Sequence, residues 1–137
     1  MGHAMQVGGL LSNMRGVSID AFRVTFSGGN GTPTLVDNGK SGLATVALTA
    51  AGRYTFSIQP PTNPKMVAIF PSLSCVAANG AVRTPRYVEG SYAVNGTTGV
   101  ASFEIDITDD EATPAAIAPT DNTALDVLLF TQKYNGL

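Results

Sequence analysis

Residues 26–56 read FSGGNGTPTLVDNGKSGLATVALTAAGRYTF, and this stretch decides the fold. Its first strand ends in a turn rich in glycine and asparagine, which tolerate the positive φ angles of tight turns. Two short β-prone runs follow, and the last of them, Ala51–Ile58, alternates polar and apolar residues from Arg53 onward. Because successive side chains of a strand point to opposite faces, Tyr54, Phe56 and Ile58 are predicted to share one face. The stretch therefore predicts antiparallel β-structure.

The same strand and turn signals recur along most of the chain. Turn signals separate the β-prone runs at intervals of roughly 8–12 residues, which is typical of β-sandwiches. We therefore expect an all-β fold, an antiparallel β-sandwich of seven to eight short strands, with a small β-barrel as the alternative. Two further runs alternate clearly, and their predicted inward residues are Phe22, Val24, Phe26, Phe103, Ile105 and Ile107.

Prolines and runs that are apolar on both faces predict where individual strands lie. The proline-rich stretch 60–64 predicts a crossover between sheets, because proline cannot donate a ladder hydrogen bond. After Lys65 the run to Phe70 is apolar on both faces, and Leu125–Gln132 contains the apolar run Val127–Phe130, so both segments are expected to be central strands. Pro71 is expected to bend or demote the segment that runs on to Cys75.

The chain is expected to form one β-sandwich domain, residues 21–137, preceded by an extended N-terminal arm, residues 1–20. At 137 residues it is long enough to bury a core without disulfides or metals. The arm has little periodicity beyond one weak helical turn, so it is either disordered on its own or packs on a neighbouring molecule, and the second option gains weight in a protein that assembles. Its predicted partner contacts are Leu10, Leu11, Met14 and Arg15.

Two other regions are predicted partner contacts. Residues 109–123 have no strand pattern, and a loop of this length, which includes Ile117, is typically functional or ordered by a partner. Around Pro85, arginine and tyrosine either form an interface or protect an exposed sheet edge, and both interpretations stay open. The residues of this second cluster are Arg83, Arg86 and Tyr87.

Composition argues against several functions. Only 13% of the residues are charged and the net charge is −2, so the chain lacks a basic surface for nucleic acid. A single cysteine, Cys75, excludes an intrachain disulfide and a zinc site built from several cysteines. No apolar run has the length of a membrane helix, and residues 1–20 lack a signal-peptide pattern. We expect synthesis in a reducing cytoplasm.

No group of residues predicts catalysis or a cofactor. The one histidine, His3, lies in the arm, so a serine or cysteine nucleophile would lack a base. Gly39-Lys40-Ser41 matches the end of a phosphate-binding loop, but Thr34 stands where that motif requires glycine. We therefore expect no enzymatic activity, no cofactor and no resident metal.

An acidic cluster follows the strand that ends near residue 108. Its carboxylates would serve a calcium ion, remain solvated, or face basic residues of a partner. The spacing fits no EF-hand, because it lacks the interposed glycine and the glutamate at the twelfth position. The cluster consists of Asp106 and of three predicted partner contacts, Asp109, Asp110 and Glu111.

Two phrases of the chain resemble those of small virion proteins of tailed bacteriophages. They are Gly29–Thr34, which reads Gly-x-Gly-x-Pro-Thr, and Leu48–Phe56, which reads LTAAGRYTF. The resemblance covers residues 21–59 best, residues 125–133 more loosely, and is strongest to capsid decoration (cement) proteins. It implies a homotrimer that binds the major capsid protein on the capsid surface and braces neighbouring capsomers, and it carries over no catalytic position.

The same phrases also resemble tail-associated β-domains. The alternative is therefore a tail-fibre or receptor-binding domain that recognises a host-surface ligand. In both cases the resemblance implies a virion protein made in the cytoplasm of a bacterial host, with neither nucleic acid nor a membrane as a partner.

Overall fold

Two antiparallel β-sheets pack face to face in the computed structural model, which describes residues 16–39, 44–75, 83–109, 116–119 and 123–133. The predicted β-sandwich is confirmed, with nine strands in the described residues where seven to eight were expected. The strands are β1 (Val17–Ser27), β2 (Thr32–Asn38), β3 (Ala44–Ala50), β4 (Arg53–Ile58), β5 (Lys65–Cys75), β6 (Arg83–Tyr87), β7 (Ala93–Val94), β8 (Ala101–Asp109) and β9 (Thr123–Gln132).

The nine strands divide into two sheets, called sheet I and sheet II. Sheet I has the order β2-β1-β9-β5, and sheet II has the order β3-β4-β8-β6, with β7 also paired to β8. The chain crosses from sheet II to sheet I between β4 and β5, so the crossover predicted at residues 60–64 is confirmed. Strands β6 and β7 follow each other along the chain and both pair with β8.

The core lies between the central strands of the two sheets. Phe56 on β4 and Phe103 on β8 are cross-strand partners, and their rings stack with centroids 4.9 Å apart and planes 3° apart. Phe22 of sheet I contacts both rings, at 5.8 and 6.2 Å. Aromatic pairs of this kind contribute about 0.5–1.5 kcal/mol beyond the area that they bury. The predicted inward faces are confirmed, since the buried set includes Phe22, Val24, Phe26, Tyr54, Phe56, Ile58, Phe103, Ile105 and Ile107.

The predicted arm boundary at residue 20 is wrong for its last four residues. Val17–Asp20 belong to β1 and pair with Leu129–Gln132 of β9. The pattern misleads because apolar residues change face within β1, with Ile19 on the outer side and Phe22 on the inner side. Residues 1–15, with the predicted contacts Leu10, Leu11, Met14 and Arg15, lie outside the described residues.

One of the two predicted central strands lies at a sheet edge. β9 is central, flanked by β1 and β5, as expected. β5 is the outer strand of sheet I, so the prediction for Lys65–Phe70 is wrong. The strand continues through Pro71 to Cys75, because an edge strand leaves one side free of ladder hydrogen bonds and so tolerates proline.

The described part of the loop 109–123 packs back on its own domain. Ala116 forms a β-bridge with Thr108, and the amide of Ile117 donates to the carbonyl oxygen of Ile107 at 2.8 Å. Pro119 is buried. In this stretch the loop is therefore part of the sandwich.

Gly52 is the point at which this loop meets the β3–β4 turn. Its φ is +72°, and a Cβ there would lie 2.6 Å from the carbonyl oxygen of Ile117. Gly90 has a similar φ of +75°, but a Cβ there would meet nothing within 4 Å. A comparison of alanine variants at the two glycines therefore separates the cost of backbone strain from the cost of a steric clash.

We expect Gly90→Ala to lower the free energy of unfolding by about 1–2 kcal/mol, the cost of a left-handed conformation with a side chain. Gly52→Ala should cost clearly more, because the backbone of Ile117 must also move and its hydrogen bond to Ile107 is lost. Urea denaturation of both variants measures the difference. Equal losses would show that Ile117 does not press on Gly52.

Candidate interaction surface

The outer face of sheet I carries an apolar patch that spans three strands. Antiparallel partners place their side chains on the same face, and two adjacent rows of partners are apolar. One row runs Ala21–Leu128–Phe70, and the next runs Ile19–Phe130–Ala68, each across β1, β9 and β5. We call these six residues the apolar patch.

Two large side chains of the patch are exposed to solvent. Phe70 is 58% exposed and Leu128 is 43% exposed, although both lie in regular strands. The ring of Phe70 meets that of Phe130 edge to face, with centroids 5.6 Å apart, so the patch is ordered by its own contacts. A contiguous apolar patch on the outer face of a sheet is a candidate interaction site.

A charged row borders the patch on one side. Arg23 on β1 lies opposite Asp126 on β9, and its Nε and Nη2 donate to the two carboxylate oxygens at 2.7 and 2.8 Å. These hydrogen bonds lower the pKa of Asp126 and raise that of Arg23. The next position on β5 is Ser72. The patch therefore ends at a fixed polar rim.

The outer face of sheet II is polar by contrast. Arg53 on β4 donates two hydrogen bonds of 2.7 Å to its cross-strand partner Asp106 on β8, which raises the pKa of Arg53. A carboxylate oxygen of Glu104 lies 3.9 Å from the same guanidinium group. The Thr55 hydroxyl donates to the Glu104 carboxylate at 3.4 Å. The two outer faces of the sandwich thus differ in kind, one apolar and one charged and hydroxylated.

A cavity of about 460 Å³ opens at one end of the sandwich, between the sheets. Its floor includes Ile58 and Leu129, and its rim includes Asp20 and Lys133. Several of its polar groups are bonded within the protein. The Tyr92 hydroxyl donates to the carbonyl oxygen of Asn63 at 2.6 Å, the Asn63 amide to Thr131 at 2.9 Å, and the Thr62 hydroxyl to Gly99 at 2.6 Å.

The structure places the predicted contacts near Pro85 along the outer edge of sheet II. Arg83 lies opposite Asp109, and Arg86 lies opposite Asp106. Tyr87 packs against the core, and its hydroxyl accepts a hydrogen bond from the amide of Tyr92 at 3.0 Å. This cluster is therefore separate from the apolar patch.

The acidic cluster is only partly described. Asp106 is engaged by Arg53, and Asp109 faces Arg83 across the strand pair. Asp110 and Glu111 lie outside the described residues. Within the part of the chain that the structure describes, no three histidine, cysteine, aspartate or glutamate side chains form a group that could hold a metal ion.

The patch was not predicted from the sequence, although one signal for it was present. Val127–Phe130 is an unbroken apolar run, which by itself favours a central strand. A strand in a two-layer sandwich has one inner face, so alternate residues of such a run must point outward. Leu128 and Phe130 are those residues.

Among the described residues there is no helix of the length and apolarity that a membrane crossing requires.

Comparisons of the chain with protein-family models, with curated proteins and with solved structures found no significant match. Function is therefore inferred from the surface geometry and from the resemblance described above.

Because its hydroxyl is partly buried, Tyr92 makes the stability of the fold depend on pH in the alkaline range. Burial, with a smaller contribution from Asp20, raises the pKa of Tyr92 to about 12, above its ordinary value of about 10. The folded state therefore favours the neutral phenol. This contribution is complete below about pH 10 and is lost as the pH rises towards 12.

We expect the free energy of unfolding to fall between about pH 10 and pH 12, and the fall to be smaller in Tyr92→Phe. Burial also raises the pKa of Tyr54, so part of the fall should remain. Urea denaturation across this pH range measures the effect, with tyrosinate absorbance as the titration signal. An identical pH dependence in both proteins would contradict the assignment to Tyr92.

Proposed function

We propose that this chain is a non-enzymatic structural protein of a tailed-phage virion, which binds the outside of the capsid and stabilises contacts between capsomers. The observation that supports this proposal best is the apolar patch on sheet I. It supplies a docking surface, and the resemblance of residues 21–59 supplies the kind of partner, a capsid protein. Neither the patch nor the resemblance carries a catalytic position.

The shape of the patch suits a protein partner. Its six residues lie on the outer side of β1, β9 and β5. The inner side chains of the same strands lie in the core or pack against it. A surface of this kind offers no enclosure for a small molecule, which typically binds in a concave pocket. An apolar centre with a polar rim, here Arg23 and Asp126, is typical of protein interfaces.

Attachment to a capsid also suits the weak electrostatics of the chain. Only 13% of its residues are charged, so few hydrated charges would have to be removed from water at an interface. A capsid presents many equivalent sites, and coupling between bound copies strengthens an interaction that is weak at each site. A modest apolar patch is then sufficient for stable coverage.

The alternative, a receptor-binding domain that recognises a host-surface ligand, is favoured by a different feature. The end cavity combines an apolar floor with polar groups at its rim, as pockets for small ligands do. This function would use the end of the sandwich and leave the apolar patch exposed. The two proposals therefore predict different binding surfaces.

The test uses Phe70 and Leu128, which are direct cross-strand partners. Phe70→Glu combined with Leu128→Lys makes the patch polar while keeping the net charge and allowing a new cross-strand ion pair. We expect this double variant to fold normally and to bind capsids at least about tenfold less well, because charges must then lose their water in the interface.

Co-sedimentation with expanded capsid shells of the encoding phage, assembled without this protein, measures the binding. The matched control is Ala93→Glu with Ser102→Lys, which places the same ion pair on cross-strand partners of sheet II. The control should bind at a fixed ratio to the major capsid protein, as the unmodified chain does. Failure of the unmodified chain to bind shells, with binding to host-surface glycans, would instead support the receptor-binding function.

A further inference from the structure

Among the described strands, one long sheet edge contains neither proline nor a charged residue. Proteins protect exposed edges with proline, with charged side chains and with bulges. β3, the outer strand of sheet II, reads ATVALTA from Ala44 to Ala50 and contains neither proline nor a charge, and its register shift against β4 lies near its end, beyond Leu48. Three other described edge strands contain both: Pro33 and Asp37 lie in β2, Lys65 and Pro71 in β5, and Arg83, Pro85 and Arg86 in β6. The remaining one, β7, has two residues and is too short to template a second strand.

The side chains of β3 are also incompletely covered. Leu48 lies opposite the buried Tyr54, on the core side of the sheet, yet it is 37% exposed. Its neighbour Ala47, on the outer side, is exposed as well. β2 lies next to β3 across the corner of the sandwich but pairs with β1 in the other sheet. The core side of β3 therefore has room for a neighbour at Leu48.

The order of residues in β3 is nearly the same in both directions. Around Ala47, Val46 is matched by Leu48, Thr45 by Thr49 and Ala44 by Ala50. If two copies paired antiparallel about a two-fold axis at Ala47, each residue would therefore face its counterpart. Leu48 would be covered by Val46 of the second copy, and no like charges would oppose each other.

We propose that β3 joins two copies of this chain edge to edge, in antiparallel register about Ala47, so that sheet II continues from one copy into the next. The partner at this edge is thus a second copy, because the β3 residues that would face each other match in size and none of them is charged. The register of β3 with β4 is regular from Ala44 to Leu48 and shifts only beyond Leu48, so the three central pairs lie in a regular ladder.

The contact would be weak, since a single strand pair buries less surface than a standard interface. On a capsid, where copies are held at fixed sites, a high effective concentration would favour it. It does not depend on the capsid function proposed above. A two-fold pair also differs from the homotrimer that the resemblance implies, so the two assemblies are distinguished by mass.

Sedimentation equilibrium over a concentration series tests the pairing. The unmodified chain should approach twice its mass of 14.1 kDa. Ala47→Lys should stay monomeric, because two ammonium groups would meet at the axis, and so should Ala47→Glu. An equimolar mixture of these two variants should form the dimer again, at least tenfold more readily than either alone. Ala93→Lys, an exposed alanine on the same outer face away from β3, should behave like the unmodified chain.

A mass that stays at one chain or reaches three would overturn the pairing, as would a mixture that remains monomeric. Far-UV circular dichroism of each variant checks that its overall β-structure is unchanged. Capsid binding is scored separately with the same proteins. A monomer that binds shells would remove only the β3 pairing, and a dimer that does not bind shells would remove only the proposed capsid function.

Discussion

Each sheet of a two-layer sandwich has a single inner face, and this constraint governs the rest of the structure. Phe22, Phe56 and Phe103 fill the centre of the space between the sheets, together with the alternate apolar residues of β1, β4, β8 and β9. Once that space is filled, any further apolar residue on these strands must point outward. Leu128 and Phe130 do so on β9, and Phe70 joins them from β5.

The two outer faces differ because different residues alternate with the core residues in the strands of each sheet. On sheet II, polar residues alternate with the core residues of β4 and β8, and Arg53 and Asp106 form an ion pair across these strands. On sheet I, Arg23 and Asp126 form an ion pair across β1 and β9, but the two rows from Ala21 to Ile19 are apolar. A molecule with one apolar and one charged face is suited to lie on a surface, with the apolar face inward and the charged face in water.

Local patterns were sufficient to predict the faces of the strands but not their neighbours. Alternation placed Tyr54, Phe56 and Ile58 on the inner side because it is a property of each strand alone. The edge position of β5 depends on which strand pairs with it across the chain, and nothing in Lys65–Phe70 specifies that. The same reason hides the ion pair of Arg23 with Asp126, whose partners are 103 residues apart. The apolar patch could not be predicted for the same reason, since its rows exist only once β1, β9 and β5 are aligned.

The central claim is that the apolar patch of sheet I is the surface that contacts the capsid. Hydroxyl-radical footprinting of the chain, free and bound to capsid shells, tests this claim most directly because it reports exposure side chain by side chain. We expect Phe70, Leu128 and Phe130 to lose reactivity on binding, while Arg86 on sheet II keeps it. Protection of Arg86 and of the outer face of sheet II, with Phe70 and Leu128 unchanged, would contradict the account.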